Sequence, residues 1–558
     1  MSNTLLSAFY PSDEKIFPAT LPSGEYAEAT VFADEAFFFS FAFRFETPYV
    51  AWEYVSVRAT CAGLPMRAYK IGYVTLTDRE NRTAPYPDIL LPRSASPEVK
   101  NLGDRLRPYD EVGERNLLLA SSNATASVLF AVNEDEETLA PGDYRIKVEA
   151  ISLKDGGLLA EKEFTLHILP AALGKSDLIY TNWFHYDCVA DFHGVVLYSE
   201  EYFALLEKYF RQASRHGMSM ILTPAFTPAL DTPVGGERMK TQLVGIQYKN
   251  GRYTFDFSLL ERFLRLADDC GFAYFEHCHL FSQWGAAHAP NIYATVDGEE
   301  KRIFGWETDA SGEEYRAFLS VYLTELLAFA ERLGYADRLF FHISDEPSDA
   351  HAESYRAAVE SVRELLAGHL CGDALSHYVY YEKGFVSLPI VHSLRLPDFD
   401  DRCPNMMMYY TGGEGRSANR RIDDTPQRTR ILGLLLYRYN SRGFLHWGYN
   451  FYYGNMSAGL FDPKCDPCFY KNMPGVTYLA YPTADRDVVP SLREKYMKEA
   501  INDYRALRLL ESFIGREATL AIACDFFGGT VDYLTLPATA EEMLAFRTRI
   551  NEEIAKHL

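Results

Sequence analysis

What this chain lacks narrows its chemistry before any motif is read. Its nine cysteines are odd in number and scattered, and Cys465-x-x-Cys468 has no second pair to complete a four-cysteine metal site. That pair sits in FDPKCDPCF, which reads as a turn, and unpaired thiols fit a reducing cytoplasm. No basic leader followed by an apolar stretch is found, nor any run of 18 apolar residues, so neither a signal peptide nor a membrane span is expected. Basic blocks are missing too. With 55 Lys plus Arg against 77 Asp plus Glu, the net charge of −22 repels polyanions, and nucleic acid and anionic membranes are set aside as partners. The absence of GxGxxG after an early strand removes the dinucleotide fingerprint. The absence of GxSxG at a strand-to-helix turn argues against Ser-His-Asp hydrolysis.

What is there is a large globular chain of 558 residues with an excess of rings: 38 Tyr and 37 Phe beside only five Trp. Length implies three to four domain equivalents, two of which a barrel can absorb. Up to about residue 170 the segments YAEATVFA, AFFFSFAFRFE, YVSVRAT, MRAYKIGYVTL, ATASVLFAV, YRIKVEAISL and KEFTLHIL are short, partly alternating and rich in β-branched and aromatic residues. Pro/Gly/Asn/Asp turns separate them, and a β-sandwich is the economical reading.

The pattern then changes. Between 175 and 512, apolar strands alternate with amphipathic helices: LIYTNWF (178–184), SMILTP (219–224), FAYFE (272–276), LFFHIS (339–344), SHYVYY (376–381), LPIVHSL (388–394), MMMYYT (406–411) and FLHWGY (444–449). TYLAYP (477–482) is a ninth candidate, so the register of strands five, six and eight stays open. Ser199 caps one helix, Ser311 with Glu314 and Ser491 with Glu494 form capping boxes, and Thr425-Pro426 opens another helix. Strands too apolar to face water, each followed by a helix, predict a (β/α)8 barrel of the TIM type. Residues 513–558 read as an extension ending in a helix boxed by Thr539 and Glu542. The predicted order is thus a sandwich over 1–170, a catalytic barrel over 175–512 and the extension.

In such a barrel, chemistry sits at the carboxyl ends of the strands. Strand one ends with Trp183, His185 and Asp187, and strand three with Glu276, His277 and His279. Strand four ends with Asp345-Glu346-Pro347; later ends offer Tyr409, Tyr410, His446, Trp447, Tyr449 and Asn450. Aromatic faces around carboxylates suit a sugar, whose C–H face stacks while its hydroxyls hydrogen-bond. Two adjacent carboxylates just past a buried strand are the sharpest feature, because like charge and burial raise one toward the pKa of a general acid. A solvated turn that caps the next helix would use the same residues. His277-x-His279 with Glu276 and His185 raises a zinc site, but spacing fixes no third ligand, and no metal is expected. Gly412-Gly413-Glu414-Gly415 reads as a loop, with an anion cradle as the lesser reading.

Taken together, FHISDEP, PNMMMYYTGG, GFLHWGYNFYYG and TYLAYP followed by VPSLREKYMKEAINDYRAL resemble the DUF4091 family, related to glycoside hydrolase family 123, the β-N-acetylgalactosaminidases. PYPDILLP and LAPGDYRIKVEA resemble that family's N-terminal sandwich. The resemblance implies an exo-acting, retaining hexosaminidase that prefers GalNAc and uses the substrate's own acetamido group. Glu346 would be the general acid and then base, and Asp345 would hold the acetamide N–H; no cofactor is needed. Tyr410, Trp447 and Asn450 match family positions loosely. A cytoplasmic location favours a small saccharide or glycoside as substrate, and a homo-oligomer is left open. Two other readings stand beside it. One is a glycosidase for a non-acetamido sugar with a protein nucleophile or base such as Glu276; the other is a non-catalytic glycan-binding protein.

Overall fold

The computed structural model describes residues 4–24, 26–77, 82–93 and 118–558. Its N-terminal part is a sandwich of two five-stranded sheets. The strand Phe37–Glu46 shows why the sequence there is apolar on both faces. Phe39, Phe41, Phe43 and Phe45 enter the core between the sheets, where Phe39 stacks on Phe164 with ring centroids 4.4 Å apart. Phe38, on the opposite face, packs with Leu492 and Tyr496 of the long helix Leu492–Ile514. A sheet covered on both sides needs no polar face.

Three sandwich strands escape the alternation pattern: Thr4–Pro11, Thr83–Arg93 and Leu118–Ser121. The second carries Pro85, Pro87 and Pro92, which normally argue against a strand. It lies at the edge of its sheet, where a missing N–H costs no ladder bond.

The barrel has eight parallel strands in sequential order: Ile179–Asn182, Met220–Thr223, Tyr274–His277, Leu339–His342, Leu370–Leu375, Leu388–His392, Met407–Tyr409 and Gly443–His446. Strand eight pairs in parallel with strand one. The Ser219 N–H donates to the Tyr180 carbonyl at 2.9 Å, tying strand two to strand one. Gly443 is required at that seam, since a Cβ there would stand 2.0 Å from the Ile179 carbonyl oxygen.

Strand five corrects the sequence reading. SHYVYY is not a strand; it leads into a short helix, Val379–Glu382, and strand five is the preceding Leu370–Leu375. Its sequence LCGDAL hides the strand behind Gly372 and an inward carboxylate, Asp373. TYLAYP contributes Ala480–Thr483 to a two-stranded antiparallel ribbon outside the barrel. The helix Glu313–Leu333 is capped at Gly312 rather than by Ser311, whose hydroxyl bonds to Asp309 at 2.7 Å. Ser199, Ser491 and Thr539 do cap their helices.

The last helix, Ala540–Ala555, bridges the parts: Arg547 pairs with Glu35 of the sandwich and Asp503 of the long helix, both at 2.8 Å. Among the described residues no helix is long and apolar enough to cross a membrane. All nine cysteines are free, and Cys465 to Cys468 lies in turns.

Candidate active site

At the carboxyl end of the barrel a cavity of about 320 Å³ is walled by Trp183, Trp284, Tyr409, Trp447 and Tyr470, with Asp345 and Glu346 in its floor. The acid pair owes its geometry to a backbone turn. Glu346 sits at φ 41°, the left-handed region that a side chain rarely adopts, so the two carboxylates leave the chain in different directions. Glu346 reaches strand seven, where the Tyr409 hydroxyl donates to its Oε1 at 2.6 Å. Asp345 turns back toward strands three and four, beside His279 and His342. Neighbouring loops brace the turn: the Trp284 N–H donates to the Asp345 carbonyl at 2.8 Å, and the Ser344 hydroxyl to the Ser282 carbonyl at 2.7 Å.

Beneath the pair runs a buried line of three titratable groups. His342 Nδ1 lies 3.1 Å from Glu276 Oε1, and Nε2 lies 3.2 Å from Asp373 Oδ1. Burial pushes Glu276 up to about 8 and Asp373 up to about 7, and holds His342 down at about 3. Nδ1 is hydrogen-bonded to Glu276, whereas Nε2 lies close to Asp373 without hydrogen-bond geometry. The ends of this line hold the site above it. Asp373 accepts the Ser344 N–H at 3.0 and 3.1 Å, fixing the residue before the acid pair. Glu276 accepts the Trp183 indole N–H at 2.9 Å, fixing an aromatic wall. Asp345 itself is held well above the usual carboxylate range, by burial first and then by the charges of Glu346, Asp373 and Glu276.

The other sequence-selected residues divide by strand register and loop position. Trp183, His185, Tyr409 and Trp447 reach the cavity wall. His185 stays neutral, held down at about 3 by burial and by Arg238, whose guanidinium stands 3.2 Å from its Nδ1. Asp187, His277, His279, Tyr410, His446, Tyr449 and Asn450 are not in that wall. Asp187 is bound by Arg238 at 2.7 and 2.8 Å, and His277 faces outward to the Tyr322 hydroxyl at 2.7 Å. Tyr410 alternates with Tyr409 and packs on Phe444. His446 takes Arg420 at 2.6 Å, and Tyr449 donates to Glu494 at 2.9 Å. Asn450 accepts the His185 N–H at 2.8 Å and so positions a wall residue from behind. His279 is buried with its ring edge-on to Trp183, centroids 4.9 Å apart, and neither nitrogen has a hydrogen-bond partner among the described residues.

His279, His342 and Asp345 bring ligand atoms within 4.8 Å of one another, the one such group among the described residues. His342 Nδ1 is taken by Glu276 while its Nε2 lies 3.2 Å from Asp373, and no fourth His, Cys, Asp or Glu among the described residues completes the group. The glycine loop holds no open cradle either. Its own Glu414 accepts the Thr411 and Gly412 amides, both at 2.7 Å, and lies 2.9 Å from His392. Burial would raise Glu414, but His392 and the backbone amides hold it down at about 2. The sequence reading missed Leu230, Asp231, Gln283, Trp284, Met456, Tyr470 and Lys471, all in the wall and outside the barrel strands. Of these, only Trp284 carried a signal: one of five tryptophans, just past a barrel strand.

Similar proteins agree with this architecture. The solved structure of a family 123 glycoside hydrolase from Clostridium perfringens, described for glycolipid glycan hydrolysis, superposes with a TM-score of 0.71 at 14% identity, over 99% of this chain and 97% of that one. A Bacteroides uniformis β-glucuronidase (TM-score 0.33, 12% identity, 84% and 49% coverage) and a family 39 glycoside hydrolase from Bacteroides cellulosilyticus (0.32, 10%, 81% and 80%) are far more distant. No curated protein matches. Residues 183–510, more than half the chain, match the catalytic domain of glycoside hydrolase 123. The chain belongs to the glycoside hydrolase 123 family.

Proposed function

We propose that this glycoside hydrolase is an exo-acting, retaining β-N-acetylhexosaminidase that prefers GalNAc and uses substrate-assisted catalysis. The observation that carries the reading is the diverging Asp345-Glu346 pair on the cavity floor, with Glu346 bound by Tyr409 and Asp345 turned toward the buried line below. Glu346 protonates the glycosidic oxygen as the acetamido carbonyl oxygen attacks C1 from the opposite face. The C1–O bond breaks, the leaving sugar departs as an alcohol, and an oxazoline-type ring forms. Asp345 accepts the acetamide N–H and balances the positive charge that develops there, which favours its ionised form in the transition state. Water then attacks C1, Glu346 takes its proton, and the ring reopens with net retention. Trp183, Trp447 and Tyr470 supply stacking faces, and His185 a wall at the same mouth.

The reading with a protein nucleophile asks Glu276 to act from within the barrel. Glu276 is fully buried behind Trp183 and holds its proton near neutral pH, a poor state for a nucleophile. Nine free cysteines support a reducing compartment, where a small saccharide or glycoside is the fitting substrate. Initial rates on matched aryl β-N-acetylgalactosaminide and aryl β-galactoside test the proposal. Turnover confined to the acetamido sugar and lost in Glu346→Gln is expected; turnover of the plain galactoside would overturn the assisted mechanism.

A further inference from the structure

Among the described residues, His279 is the one histidine with both ring nitrogens buried and unpartnered. It follows strand three and is 2% exposed. Other buried histidines of the barrel are engaged. His185 reaches the Trp447 carbonyl at 3.0 Å, His277 the Tyr322 hydroxyl at 2.7 Å, and His342 Glu276 at 3.1 Å. His279 is not loose for want of a partner. The Cys278 N–H donates to the Thr223 carbonyl of strand two at 3.0 Å, and the Leu280 N–H to the His342 carbonyl of strand four at 3.1 Å, which locks the segment on both sides. Trp183 meets its ring edge-on, and the His342 ring lies 4.4 Å away at 49°.

Asp345 stands in the complementary position. Glu346 is held by Tyr409, but among the described residues no side chain or amide donates to the Asp345 carboxylate. Ligand atoms of His279, His342 and Asp345 lie within 4.8 Å of one another, and His342 Nδ1 is taken by Glu276. Burial, followed by the charges of His342 and His277, holds His279 well below the usual histidine range, so its neutral ring offers one N–H and one lone pair. A donor without an acceptor thus lies beside an acceptor without a donor. Leaving either unmatched in a dry interior costs free energy, which a short bond between them removes. Hydrogen bonds at catalytic sites often stay long until the substrate complex forms.

We propose that His279 is a positioning residue for Asp345: in the substrate complex its N–H donates to that carboxylate and aims it at the substrate. The inference rests on the reading in which Asp345 holds the acetamide N–H, and deepens it by naming the residue that orients this acceptor. His279 itself stays behind the cavity wall and acts through Asp345. A neutral donor suits that place. It fixes the direction of the carboxylate and leaves its charge free to respond to the substrate, whereas a lysine or arginine would hold the charge fixed.

The test is a double-mutant cycle on the full chain with an aryl β-N-acetylgalactosaminide. His279→Phe keeps a ring against Trp183 and removes both nitrogens. The expected result is a kcat about tenfold lower with KM changed less than about threefold, because the contact tightens toward the transition state. Tm should be unchanged or higher, since an unpartnered buried imidazole has been removed. His279→Gln or His279→Asn, each placing an N–H near one ring nitrogen, should recover part of that kcat. Added to Asp345→Asn, His279→Phe should cost nothing further. A kcat retained in His279→Phe overturns the proposal, as do amide variants no better than Phe, and so does a loss that adds in full to that of Asp345→Asn. Should His279→Phe not fold, His279→Met takes its place in the cycle. The two readings fail separately. Turnover of the plain galactoside by the unsubstituted chain sinks the acetamido reading. The cycle repeated on that galactoside then decides His279, non-additive losses keeping the positioning role and additive losses ending it.

Discussion

Two sets of buried carboxylates in this protein live in opposite company. Where the sandwich meets the barrel along the helix Leu492–Ile514, Asp88 pairs with Arg493, Glu134 with Lys495, Glu35 with Arg547, and Asp503 with Arg430 and Arg547. In the barrel, no lysine or arginine among the described residues pairs with Glu276, Asp345 or Asp373. The difference separates architecture from chemistry. Burial would raise Glu134, but Lys495 and His216 hold it well below the usual carboxylate range, and such pairs fix how two parts dock; removing the cation strands a charge. A buried carboxylate without one keeps or shares a proton near neutral pH, which is the state acid–base chemistry uses. Glu276, Asp373 and Glu346 are held by neutral donors, namely Trp183, Tyr355, Tyr409 and the Ser344 amide, which orient them without fixing their charge.

The comparison breaks most sharply at Glu346. Replacing it with Gln keeps the shape and removes the proton, so kcat/KM on an aryl N-acetylgalactosaminide should fall about 10²–10⁴-fold with unchanged thermal stability. A variant that stays active would place the acid elsewhere. The reverse pattern is expected at the interface. Arg493→Met leaves Asp88 unpaired and should cost about 3–5 kcal/mol in denaturant unfolding, with most of the loss recovered in Asp88→Asn/Arg493→Met. If the single and double variants are equally unstable, the pair is not what holds the helix to the sandwich.

Smaller effects sharpen the picture within the barrel. Trp183→Phe keeps a ring in the wall and removes the indole N–H from Glu276, an expected loss of about tenfold in kcat/KM. The smallest effect is a displaced pH profile. Asp373 raises Asp345 when ionised, so Asp373→Asn should lower the Asp345 pKa and shift the rising limb of kcat/KM to lower pH by about one unit or less. A shift to higher pH would contradict that coupling. Stability adds a sign test for Glu276. Its folded pKa of about 8 lies above the unfolded value, so its contribution is present below about pH 4.5 and lost as pH rises toward 8. Glu276→Gln should flatten that alkaline decline in chemical unfolding measured at pH 5 and pH 8.

Much of this was legible from residues alone. Seven of the eight barrel strands lie in or overlap the apolar segments that alternate with amphipathic helices, because strands buried on both faces must be apolar throughout. The exception, Leu370–Leu375, carries Gly372, where a Cβ would stand 2.5 Å from the Phe340 ring, and the buried carboxylate Asp373, and these two residues break the apolar pattern. Asp345-Glu346 stood out because two acids directly after a buried strand have no packing reason to be there. His277, Tyr410 and Tyr449 were drawn in by the same strand-end logic, but one residue of register turns a side chain to the other face. Proximity along the chain could not tell Tyr409 from Tyr410.

By itself the sequence determined the succession of β-rich and β/α regions, the strand ends where chemistry gathers, and the acid pair, since periodicity and burial are local properties of the chain. The tertiary structure alone decided which acids meet cations and which meet a histidine. It also set His279 beside Asp345. Both depend on residues distant in the chain being brought within a few ångströms, where desolvation and Coulomb energy, and not residue type, set what a carboxylate does.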